Sequence, residues 1–143
     1  MKRFMLMALA AGTLSLFEPV VASAASVVAR VDISTQTMTV TQNGVVKYRW
    51  KVSTARAGKR TPTGSWTAKW LSKNHKSSRY NNAPMPYSVF YSGNYAVHGT
   101  NQVGRLGRTA SAGCIRLHPS NAAIFYSMAQ RNGLKNTRIV VTR

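Results

Sequence analysis

Thr37-Met38-Thr39-Val40-Thr41-Gln42, Asn43-Gly44 and Val45-Val46-Lys47-Tyr48-Arg49-Trp50-Lys51-Val52 form the stretch on which the fold turns. Both flanks are rich in β-branched and aromatic residues, which suit a pleated, half-buried surface. Asn43 and Gly44 both accept positive φ, so the segment predicts a tight β-hairpin. Upstream, Ser26 to Ile33 predicts a strand with Val28, Val31 and Ile33 as its apolar members. Downstream, Arg56 to Gly64 is a loop carrying Gly58, Pro62 and Gly64, and Ser65 to Leu71 reads as a further strand. Ser72 to Pro86 is polar and basic, with Lys73, His75, Lys76 and Arg79, and predicts a mobile functional loop. Two short strands, Tyr87 to Tyr91 and Tyr95 to His98, flank Ser92-Gly93-Asn94. A long loop from Gly99 to Gly113 leads to a brief strand, Cys114 to Leu117. One helix is predicted after it, with Pro119 near the start, Ser120 as cap and Gly133 at the stop. Thr137 to Thr142 closes the chain as a β-branched strand. The fold class is therefore mainly β with one principal helix after the cysteine loop.

The first residues read differently. Lys2 and Arg3 precede an apolar run from Phe4 to Phe17, and Ala22-Ser23-Ala24 suits a signal peptidase. Residues 1–24 are expected to be a secretory leader, and residues 25–143 one domain in the periplasm or outside the cell. No integral membrane span is expected once the leader is removed.

Charge narrows the chemistry. The 143 residues hold 20 Lys and Arg against 2 acids, Glu18 and Asp32, for a net charge of +18 at pH 7. Such a field attracts polyanions. In an envelope these are wall polymers, peptide-stem carboxylates and lipid headgroups; nucleic acid is disfavoured by compartment and by the lack of a recognition motif. Asp32 alone cannot supply the paired carboxylates of a glycoside hydrolase or a calcium or magnesium cage. A Ser-His-Asp triad would have to recruit that same Asp32. The three histidines, His75, His98 and His118, are scattered without a zinc-ligand pattern, so no metal is expected.

Cys114 is the only cysteine, so it forms no internal disulfide. Gly113 before it allows a tight turn and close approach of a substrate. Backbone N–H groups at such a turn can face a developing oxyanion. In an extended segment Arg116 shares a face with Cys114 while Ile115 points into the core. A cation there favours the thiolate and can hold a carboxylate. His98, at a strand end opening a loop, is the candidate base.

Val97-His98-Gly99-Thr100 with Ser111-Ala112-Gly113-Cys114-Ile115-Arg116-Leu117 resembles the signature of the L,D-transpeptidase catalytic domain, the YkuD-like family. Thr61-Pro62-Thr63-Gly64 and Met85-Pro86-Tyr87 resemble further stretches of it. Many members carry histidine where this chain has Ala112. The resemblance implies a β-sandwich-like catalytic fold that uses no cofactor. It implies Cys114 as nucleophile, His98 as base and the Gly99 carbonyl as the group orienting the imidazole. It also implies a thioester acyl-enzyme that cross-links diamino acids of peptidoglycan stems. Backbone N–H groups near Gly113 and Cys114 would hold the oxyanion. Arg116, Tyr87, Ser111 and Gly113 are the expected substrate-binding residues. Water as acceptor would give an L,D-carboxypeptidase, and an amine on an envelope protein would give attachment of that protein to the wall. A non-catalytic cationic envelope binder is the alternative from another class.

Overall fold

The computed structural model describes residues 25–143; the expected leader over residues 1–24 lies outside them. Nine strands and one α-helix form in the order β1 (Val27–Asp32), β2 (Thr37–Gln42), β3 (Val45–Lys51), β4 (Gly64–Thr67), β5 (Trp70–Lys76), β6 (Pro84–Ser92), β7 (Tyr95–Gly99), β8 (Ile115–Leu117), α1 (Pro119–Asn132) and β9 (Thr137–Thr142). One sheet has five strands in the order β3-β2-β1-β9-β4, and the other has four in the order β5-β6-β7-β8. The mainly β, two-sheet architecture is as the sequence predicts.

The Asn43-Gly44 hairpin forms, with φ of 50° and 80° at the two turn residues. Alternation then sets the burial. Val27, Ala29 and Val31 of β1, Met38 and Val40 of β2, and Ile139 and Val141 of β9 turn inward together. They meet Val89, Tyr91, Val97, Ile115 and Leu117 of the second sheet and Phe125 of α1 in one core. Each fully buried Val or Ile contributes about 1.5–3 kcal/mol relative to exposure.

Ser65 to Leu71 does not form one strand. Backbone hydrogen bonds from Ala68 to Thr137 and from Lys69 to Phe90 divide it, so β4 joins one sheet and β5 the other. Ser72 to Pro86 is not an irregular loop either. β5 runs to Lys76, β6 starts at Pro84, and only a short connection separates them. Polar side chains hid this strand because both its faces are largely exposed; aromatic packing holds it. Trp70 stacks on Phe90 at 3.8 Å between centroids, and His75 meets the Phe90 ring edge-on at 4.9 Å.

The helix starts one residue away from its expected cap. His118, not Ser120, is the N-cap, its Nδ1 accepting from the Ser120 N–H at 3.2 Å. Pro119 occupies the first helical position, where its missing N–H costs nothing. α1 packs across β6 and β7. This fixes the back of the strand that carries His98.

Candidate active site

β7 and β8 run parallel, pairing Val97 with Ile115 and His98 with Arg116. Val97 and Ile115 point into the core. The intervening residues face the other way, so Ala96, His98, Cys114 and Arg116 share one outer face. His98, Cys114 and Arg116 all line a cavity of about 640 Å³. Met85, Phe90 and Ala96 form the apolar patch on which Cys114 sits.

His98 is buried, and its Nδ1 lies 2.6 Å from the Gly99 carbonyl oxygen. A carbonyl can only accept, so Nδ1 carries the proton and the neutral ring keeps Nε2 as its acceptor. Burial depresses the His98 pKa from 6.5 to about 4, opposed by the Gly99 bond and assisted by the Arg116 and His75 charges. Gly99 is required for a second reason. A Cβ there would meet Pro119 Cα and Pro86 Cγ, both at 3.1 Å, where α1 crosses the strand.

Cys114 is partly exposed, with Sγ 3.7 Å from the Asn94 carbonyl oxygen. Its pKa is raised. Burial of the thiolate outweighs the Ala96 N–H and the Arg116 cation, both of which favour the anion. Arg116 favours the thiolate as expected, but desolvation is the larger effect. With both groups pushed towards neutrality, the resting site holds a thiol and an imidazole rather than an ion pair.

The turn before Cys114 is tightly specified. Gly113 has φ of 144°, and a Cβ there would lie 2.7 Å from Tyr95 Cε1 and 2.9 Å from the Arg60 oxygen. Ser111 Oγ accepts from the Gly113 N–H at 3.0 Å and donates to the Cys114 carbonyl at 2.6 Å. Ser111 lines the cavity, and its hydroxyl is committed to shaping the turn. The Gly113 N–H is equally engaged. Thr61 was not singled out by role. Its hydroxyl donates to the Gly113 carbonyl at 2.8 Å and accepts the Ala55 N–H at 2.9 Å, tying the 56–60 loop to the cysteine turn. The Thr61-Pro62-Thr63-Gly64 stretch was the available signal.

Tyr87 is also displaced from its expected place. It has φ of 54°, packs against the main core and meets Tyr126 of α1 edge-on at 5.6 Å. The positive φ shifts the phase of β6. Met85 before it and Phe90 after it, one odd and one even, therefore both face the cavity. Arg116 does reach the cavity and donates to Gln102 Oε1 at 3.0 Å. Among the described residues no three His, Cys, Asp or Glu side chains gather as a metal site. None of the described helices is long and apolar enough to cross a membrane.

A mainly β domain of two sheets, with a cysteine and a histidine lining one cavity at a pair of parallel strands, defines the class of fold. Residues 26–141 match the family model of YkuD, the L,D-transpeptidase catalytic domain, and the chain belongs to that family. It is 26% identical over 117 residues to the YkuD protein of Bacillus subtilis (strain 168), covering 79% of this chain and 64% of that one. An L,D-transpeptidase structure from Mycobacterium smegmatis superposes with a TM-score of 0.74 at 26% identity, over 82% of this chain and 59% of that chain. The LD transpeptidase LdtMt1, solved in complex with imipenem, superposes at 0.73 and 25% identity, over 82% and 59%. The chain spans less than two thirds of the length of each of these relatives.

Proposed function

We propose that the protein is a cysteine acyltransferase acting on peptidoglycan stems, forming cross-links between their diamino acids. The observation that carries this reading is the shared outer face of β7 and the Cys114 turn, which opens a thiol and a neutral imidazole onto one cavity. Family membership supports the transpeptidase chemistry. A secretory leader over residues 1–24 and an envelope location belong to the same proposal.

The two neutral groups define the order of proton movement. His98 Nε2 takes the Cys114 proton as Sγ attacks the carbonyl of the third stem residue. Deferring thiolate formation to that moment suits a site that disfavours the resting anion. The Cys114 N–H holds the oxyanion. As the carbon–nitrogen bond breaks, His98 passes its proton to the departing D-alanine amine. An amine of a second stem then attacks the thioester, loses a proton to His98 and displaces Sγ, which recovers that proton. Throughout, the Gly99 carbonyl keeps Nδ1 protonated and, being uncharged, needs no carboxylate. The same thioester serves water or a protein amine as acceptor.

The test is intact mass of the protein incubated with a tetrapeptide stem. The expected result is an adduct of stem minus D-alanine on Cys114. A stem that leaves the mass of the active protein unchanged overturns the scheme. Imipenem, the molecule in the LdtMt1 complex, serves as a second acylating probe of the same thiol.

A further inference from the structure

The cavity above Cys114 is walled by cations that have no acid to pair with. The 56–60 loop contributes Arg56, Lys59 and Arg60 to one rim, the connection after β5 contributes Arg79 to the other, and Arg116 lies below. Asp32 is the single side-chain acid in residues 25–143. It lies away from the cavity, accepting the Ser34 and Thr35 N–H groups at 2.9 Å and 3.3 Å. The guanidiniums therefore repel one another unrelieved. Arg116 is pushed towards losing its proton first by burial and then by Arg56 and Arg105, with Cys114 opposing.

The rim is also fixed in place. The Arg56 N–H donates to the Ser111 carbonyl at 2.9 Å, and the Lys59 N–H to that of Arg56 at 3.0 Å. Opposite, Ser77 Oγ accepts the Arg79 and Tyr80 N–H groups at 3.2 Å and 3.0 Å. Charges held on an ordered backbone around a cleft act as a preformed anion receptor, because little order remains to be imposed on binding.

We infer that this cationic wall selects donor stems by their free carboxylates, so that a stem whose carboxylates are capped as carboxamides is a poor donor. This deepens the transpeptidase reading and rests on it. A carboxamide matches the carboxylate in shape but has no charge and keeps one acceptor oxygen in place of two, its NH2 facing groups that are themselves donors. Charge-assisted bonds are about twice as strong as neutral ones, and facing donors make no bond at all. About a tenfold loss of acylation rate per capped carboxylate is the expected scale.

The experiment uses two synthetic tetrapeptides that differ only in carboxylate against carboxamide at the non-reacting acid positions. Acylation of Cys114 is followed by intact mass at low and high salt. The expected result is faster acylation by the free-acid stem, with a ratio that shrinks as salt rises, since these side chains are exposed. Arg56→Gln with Lys59→Gln and Arg60→Gln, and separately Arg79→Gln, narrow the ratio without lowering Tm. Equal rates, or a preference for the capped stem, overturn the selection while leaving the acyltransferase reading standing. Failure of both stems and of imipenem to acylate Cys114 overturns both.

Discussion

The five-stranded sheet and the four-stranded sheet differ in regularity, and the difference follows the chemistry. In the first, β1 pairs with β2 and β9 through six residues each without a shift, and its inward side chains form one wall of the core. Only its outermost pair, β2 with β3, slips once, between Val40 and Thr41. The second sheet turns Tyr87 to positive φ, shifts register between Phe90 and Ser92, and receives the Gly113 turn at its last strand. His98 and Arg116 stand on this irregular sheet, and Cys114 immediately precedes its last strand. Departures from ideal backbone persist where surrounding structure enforces them, and they re-aim side chains that a regular strand would bury. One sheet supplies stability, and the other is bent into a surface.

Substitutions can break that division. The largest effect is expected for Cys114→Ala, which abolishes the acyl-enzyme in mass spectrometry and leaves Tm within a degree or two, because the residue sits at the cavity edge of the core. Gly113→Ala comes next. The added methyl meets Tyr95 and the Arg60 oxygen at φ of 144°. This should cost about 1–3 kcal/mol in chemical denaturation and slow acylation at least tenfold, as the turn moves the sulfur. The reverse outcome marks the regular sheet. Ile139→Ala should cost about 2–5 kcal/mol, yet preserve acylation rate per folded molecule. A large loss of rate there would show that the two sheets are not separable.

pH sharpens the comparison at a smaller scale. His98 is depressed from 6.5 to about 4 by burial. Acylation should therefore hold level from neutral pH down to about pH 5 and decline towards pH 4, where the imidazole protonates; a midpoint near 6.5 would contradict the buried neutral ring. The stability sign is fixed by the same shift. The unfolded chain binds the proton first, so stability is complete above pH 6.5 and is lost as pH falls towards 4, by up to about 3 kcal/mol. His98→Gln should flatten that slope in urea titrations. The smallest effect is expected at the exposed edge strand, where Val46→Thr should change stability by about 0.5 kcal/mol or less.

Much of the frame was legible because local signals agreed. Asn43-Gly44 between β-branched runs, and the Thr137 to Thr142 run, each marked an element that forms with nearly those bounds. His98, Gly99, Cys114 and Arg116 were visible as types in a spacing, and the parallel pairing brings His98, Cys114 and Arg116 to one face. The misreadings share a cause. β5 has no buried face, so its strand is set by aromatic stacking from Phe90, a long-range contact that no local pattern carries. Tyr87 looked like a cleft residue because its backbone kink is invisible in sequence. Ser111 lines the cavity as its type suggests, but hydrogen bonds to Gly113 and Cys114 consume its hydroxyl, and the part Thr61 plays in holding the same turn rests on tertiary bonds that no local pattern shows.

The parallel joining of β7 to β8 separates two lengths that are easily confused. How far apart base and nucleophile stand in space is governed by the ladder and by the Ser111–Gly113 turn that ends at Cys114, whereas the stretch from Thr100 to Ala110 is the route between them. Insertions between Thr100 and Ala110 should leave the reaction distance untouched, while one step of slippage along the ladder would swing the sulfur to the wrong side. Variation in acceptor or partner can accumulate in the first without disturbing the second.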